Sequence, residues 1–151
     1  MFFTILFLGF SCHKPLVQEE IRAFVNQTWN RFDILEFDAG LAKNDHPTDI
    51  LVVFEHTIDY PNDYIDLNFT LYLPEGGMRT RDYMFELKDT LGVWLGRNND
   101  GVYRVELPVI QGMKIPEDGT YKIRIENKLT KFNTAGVTAV GYKIQKSRKQ
   151  R

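Results

Sequence analysis

From Thr28 onward the chain alternates apolar and polar residues with a period of two, which puts successive side chains on opposite faces of a strand. The longest run sets Ile65, Leu67, Phe69, Leu71 and Leu73 against Asp66, Asn68, Thr70 and Tyr72. Tyr83, Phe85 and Leu87 alternate with Met84, Glu86 and Lys88, and Tyr121, Ile123 and Ile125 with Lys122, Arg124 and Glu126. Less regular runs occupy 31–37, 49–58, 101–109 and 136–144. Between the runs stand Asn44-Asp45-His46-Pro47, Tyr60-Pro61-Asn62-Asp63, Pro74-Glu75-Gly76-Gly77, Asn98-Asn99-Asp100-Gly101 and Pro116-Glu117-Asp118-Gly119. Each supplies the Pro, Gly, Asn or Asp that a tight turn requires. Clean alternation argues against a parallel sheet buried on both faces. The pattern predicts an all-β domain, an antiparallel β-sandwich of jelly-roll or Ig-like type with seven to eight strands. Glu117-Asp118-Gly119-Thr120-Tyr121 adds a local expectation. A Tyr entering a strand after an acidic-Gly turn resembles a tyrosine corner, whose hydroxyl bonds back to the backbone.

The first ten residues break this pattern. Phe2, Phe3, Ile5, Leu6, Phe7, Leu8 and Phe10 form an uncharged apolar run. It is too short for a membrane-spanning helix, which needs roughly 20 residues, and suits the apolar core of a signal peptide. The run ends in Leu8-Gly9-Phe10-Ser11-Cys12, and no other cysteine exists in the chain. A lone cysteine in an exported protein has no internal disulfide partner. After an apolar run and a small residue, it resembles a bacterial lipobox, in which Cys12 is acylated and becomes the lipid anchor. Two acyl chains on one residue suffice for stable anchoring, whereas one is marginal. No Lys or Arg precedes the run, and a start upstream of Met1 would supply that charge. The competing reading is an N-terminal core strand with a buried, inert thiol. The expected organisation is a signal peptide at 1–11 and an anchor and tether at 12–27, with a short helical turn near 18–24. The sandwich then covers 28–145, and a basic tail 146–151.

Composition changes this picture little. Eleven Phe, seven Tyr and two Trp reinforce the strand reading. About 140 residues remain after the signal segment, enough to bury roughly two-thirds of the unfolded surface without disulfide or metal. A net charge of -1 points to no nucleic-acid partner. Lys143, Lys146, Arg148, Lys149 and Arg151 cluster at the C-terminus, where a solvated tail is the ordinary reading.

Candidate chemistry is sparse. His13, His46 and His56 lack the paired spacing with Cys, Asp or Glu that a zinc site needs. His56 shares strand parity with Val52, Phe54 and Ile58, as a half-buried or satisfied core histidine would. No nucleophile elbow, phosphate loop or nucleotide fingerprint is present. Gly92-Val93-Trp94-Leu95-Gly96 is Gly-rich but lacks the Lys and helix start of a phosphate site. Asp59, Asp63 and Asp66 suit turn chemistry better than calcium. Trp29 and Trp94 are core aromatics first and sugar platforms second. The expectation is no enzyme, no metal and no cofactor.

Several stretches are distinctive in order and spacing. They are Asp89-Thr90-Leu91 with Gly92-Val93-Trp94-Leu95-Gly96, Ile115 through Tyr121, and Gly136-Val137 through Val140-Gly141-Tyr142-Lys143-Ile144. The Asn62-Asp63-Tyr64 lead-in to a long alternating strand joins them. Together with the lipobox, they resemble the gliding-motility lipoprotein GldH family of Bacteroidetes; the Arg97-Asn98-Asn99 loop is less Gly-rich than is typical there. The resemblance implies a non-enzymatic scaffold of the cell envelope, linked to type IX secretion. Implied partners are membrane lipid through acylated Cys12, other gliding-motility lipoproteins and type IX secretion components. In that phylum surface-exported lipoproteins carry acidic residues just after the cysteine. Here His13-Lys14-Pro15 follows, which favours the periplasmic side; the expected location is the outer membrane, facing the periplasm. Asp89-Thr90-Leu91 also matches the short acceptor used there for O-glycosylation, so Thr90 is a candidate site. Two other functions compete. One is a glycan-binding lipoprotein using exposed Trp29 and Trp94; the other is a hydrolase assembled from His56, Asp59 and Asp63.

Overall fold

The computed structural model describes residues 17–148, so Cys12 and its signal segment lie outside the described residues. The described chain is all-β, with eleven strands. In order they are β1 (Val17–Ala23), β2 (Thr28–Asn30), β3 (Leu35–Leu41), β4 (Asn44–His56), β5 (Tyr64–Tyr72) and β6 (Met78–Glu86). There follow β7 (Arg97–Asn99), β8 (Val102–Ile115), β9 (Gly119–Asn127), β10 (Asn133–Ala135) and β11 (Val137–Lys146). Three of them span only three residues each, which accounts for most of the excess over seven or eight.

One sheet runs β1-β11-β4-β8-β7, the other β3-β9-β5-β6, and β10 pairs with β2 in a small ribbon. All pairings are antiparallel. Successive long strands alternate between the sheets, except for the β5–β6 hairpin. That alternation is the connectivity of a jelly roll. An Ig-like sandwich would instead keep its first two strands in one sheet.

The period-two pattern delivers the core. On β5, Ile65, Leu67, Phe69 and Leu71 are buried, and they face Ile50, Val52 and Phe54 of β4 across the sandwich. Each fully buried side chain of this size contributes about 1.5–3 kcal/mol. Phe37 of β3 meets Tyr142 of β11 edge-on, with ring centroids 5.4 Å apart, stitching the two sheets together. The tyrosine corner is present: the Tyr121 hydroxyl donates to the Glu117 carbonyl at 2.9 Å. The Asp100-Gly101 pair, both at positive φ, turns β7 into β8 as a two-residue hairpin loop.

Four local expectations are corrected. The helical turn near 18–24 is strand β1, paired residue by residue with β11 from Val17↔Gln145 to Ala23↔Ala139. The folded domain therefore begins by Val17, within the stretch assigned to the tether. The strand placed at 31–37 is a loop up to Ile34, and β3 continues to Leu41. The turn at Asn44–Pro47 is a bulge inside β4, where the Asn44 side chain accepts the His46 amide at 2.8 Å. Beyond Val109, β8 runs on to Ile115 through Gly112, whose amide donates to Asp49.

Candidate functional site

Strand direction gives the sandwich two distinct ends. The first gathers the start of β1, the end of β11 and the 42–43, 73–77 and 116–118 connections. The far end gathers the connections 24–34, 57–63, 87–101 and 128–136. Residue Cys12 stands five positions before Val17, so any anchor there is tied to the first end.

Loops of the far end are bound to one another. The Arg31 amide donates to the Phe132 carbonyl, and the Asn30 and Asn133 side chains meet at 2.8 Å. The Thr57 amide donates to Gly136, whose positive φ lets the backbone come close to Tyr60. The Leu87 amide donates to Asp63, and Lys88 pairs with the Asp63 carboxylate at 2.7 Å. Thr90 is exposed in a tight turn, where the Asp89 carboxylate accepts the amides of Leu91 and Val93.

Beneath these loops lies His56. Its ring is fully buried, with Trp94 at 4.6 Å, Tyr60 at 5.3 Å and Phe54 and Tyr103 both at 5.5 Å between centroids. Nδ1 donates to the Thr57 carbonyl at 2.9 Å, and Nε2 has no hydrogen-bond partner among the described residues. Burial pushes the imidazole below its ordinary value of 6.5, against the opposing pull of that carbonyl. Asp63 is committed to Lys88, and no hydrogen bond or ion pair among the described residues joins His56 to Asp59 or Asp63. Nor do the described residues contain a group of three or more His, Cys, Asp and Glu able to hold a metal. Trp29 is fully buried and donates through Nε1 to the Asp33 carbonyl at 2.9 Å. Trp94 is half-buried, with the Lys88 ammonium 4.3 Å above its ring. Neither indole offers the free face that stacking on a sugar would need.

The feature that sequence reading missed is a charged cluster on the outer face of the larger sheet. Arg104 of β8 reaches Glu19 of β1 at 2.7 Å, Glu55 of β4 at 3.3 Å and Glu106 at 3.5 Å. Lys143 of β11 closes the row on Glu106 at 3.0 Å. Burial opposes ionisation of Glu106, but Lys143 and Arg104 outweigh it and hold the carboxyl below its usual range. The only trace in sequence was the outward parity of these charges, which needs the strand register to read.

Fold and ends together define a small jelly-roll domain whose chain arrives at one end and whose linked loops crown the other. A family model for the GldH lipoprotein matches residues 16–144. The chain belongs to the GldH lipoprotein family, a lipid-anchored component of the cell envelope. It is similar to the gliding motility lipoprotein GldH homolog of Christiangramia forsetii, 24% identical over 152 residues, covering 96% of this chain and 92% of that protein. A chain of the infectious bursal disease virus VP2 subviral particle superposes with a TM-score of 0.38 at 15% identity, covering 94% of this chain. The chain spans 36% of that viral protein's length.

Proposed function

We propose that this lipoprotein is a non-catalytic scaffold of the gliding-motility machinery, linked to type IX secretion. It is held by acylated Cys12 to the outer membrane, facing the periplasm. The observation that carries this reading is the family match across 16–144, beside a relative named as a gliding motility lipoprotein. The fold supplies a mechanism. Four residues separate Cys12 from β1, so the anchor lies at most roughly 18 Å from the sandwich. Such a short leash holds the domain close to one membrane face and raises its effective concentration near partners on that face. The charged cluster around Arg104 fastens the leash-bearing strand β1 to the rest of its sheet.

The test compares tagged wild-type protein with Cys12→Ala in cell envelopes. Wild type is expected in the membrane fraction, co-purifying with motility and secretion components. The Cys12→Ala protein is expected in the soluble fraction, with that recovery lost. Recovery of none of these components in either sample would remove the scaffold reading. Membrane retention of Cys12→Ala would remove the anchor.

A further inference from the structure

Of twelve exposed large hydrophobic residues among the described ones, ten lie toward the far end, and only Val17 and Met78 belong to the first. Val25, Phe32 and Ile34 project from 24–34, and Ile58 from 57–63. Leu91, Val93 and Leu95 come from 87–101, and Phe132 from 128–136. Phe32 and Phe132 are 68% and 63% exposed, yet their rings meet edge-on at 4.9 Å. Exposed apolar surface concentrated this way marks a protein or membrane contact.

We propose that the far end is a docking surface for another envelope protein, one that offers apolar sockets to Phe32 and Phe132. The inference rests on the Cys12 anchor, because the anchor decides between protein and lipid. A leash of roughly 18 Å leaves from the opposite end, and β11 alone, at ten residues, separates the ends by roughly 30 Å. Upright on its anchor, the domain holds the apolar end away from its own bilayer. Lying flat would press charged faces onto lipid: the Arg104 cluster on one sheet, Lys122–Glu36 and Arg124–Glu126 on the other.

Charge balance argues against a strongly acidic or basic target. The four connections carry Arg31, Lys88, Arg97, Lys128 and Lys131 against Asp33, Asp59, Asp63, Asp89 and Asp100, five of each sign. The partner surface is therefore apolar and electrically neutral, and the contact is insensitive to salt. The hydrogen bonds between the loops hold their backbones in place before binding, which lowers the ordering cost of association.

The test places a photo-reactive phenylalanine analogue at position 32, 58, 132 or 78 of the full-length lipidated protein in living cells. The same single protein adduct is expected from positions 32, 58 and 132 and not from 78. It should survive high salt, and its yield from position 58 should fall about tenfold in Phe132→Ser. The melting curve of purified Phe132→Ser is recorded alongside, since an unchanged curve assigns the loss to docking. An adduct at twice the chain's own mass would make the surface a self-association patch, and a lipid adduct would make it a membrane contact. Either result, or no adduct at all, overturns the proposal. Membrane release of Cys12→Ala tests the anchor separately, and a partner outside the motility machinery would sink the scaffold reading while leaving the surface standing.

Discussion

His56 sits where a proton is costly, ringed by Phe54, Tyr60, Trp94 and Tyr103, with its Nε2 unpartnered among the described residues. Its pKa is lowered in the folded state, so between that value and about 6.5 the unfolded chain binds more protons than the folded one. Stability is then full above pH 6.5 and falls as pH drops below it. Urea titrations from pH 7.5 to 5 should show this decline, and His56→Phe should flatten it. A slope unchanged in the variant would place the titrating group elsewhere. The residue type and its inward parity were legible in the sequence. The aromatic enclosure was not, because Trp94 and Tyr103 arrive from chain segments about 40 residues or more away.

At the scale of elements, the sequence pattern missed edge strands as well as the bulge of β4 and the extension of β8. β1 reads Val-Gln-Glu-Glu-Ile-Arg-Ala, with helix-favouring Glu and only two large apolar residues. An edge strand has reason to be polar, since charged side chains discourage pairing with other chains. Gln18 and Arg22 show the use of this: Gln18 donates to the Tyr142 hydroxyl, while Arg22 lies over Phe37 and donates to the Glu36 carbonyl. The first half of β6, Met78-Arg79-Thr80-Arg81-Asp82, was missed for the same reason. Arg104 secures β1 further through Glu19, beyond its ladder. Arg104→Ala should lower stability by about 1–2 kcal/mol in urea unfolding, by leaving three carboxylates without their shared partner. Amide exchange should speed up in β1 more than in β4. Equal acceleration throughout would show that the cluster is not an edge fastening.

For the whole molecule, the boundary of the domain carries the strongest consequence. A chain shortened to begin at Val17 should melt like the longer one. A chain beginning at Thr28, the boundary that alternation alone suggests, loses β1 and uncovers the edge of β11. It should be less stable by at least about 2 kcal/mol and prone to self-association, measured by thermal melting and light scattering. Matching melting curves for the two would show that β1 is dispensable.

The sequence by itself determined the class of this protein: alternation of period two, broken by turn residues, leaves an antiparallel sandwich as the way to bury one face of each strand. It also marked the tyrosine corner and the lone Cys12, which depend on residues close together in the chain, and the family, which depends on the order and spacing of short motifs. Tertiary structure decided the rest. It chose jelly roll over Ig-like, because connectivity between sheets leaves no periodic trace. It sealed His56 and Trp29, assembled the Arg104 cluster and collected scattered hydrophobic residues at one end. Each of these joins segments far apart in sequence, and only the register of the strands brings them together.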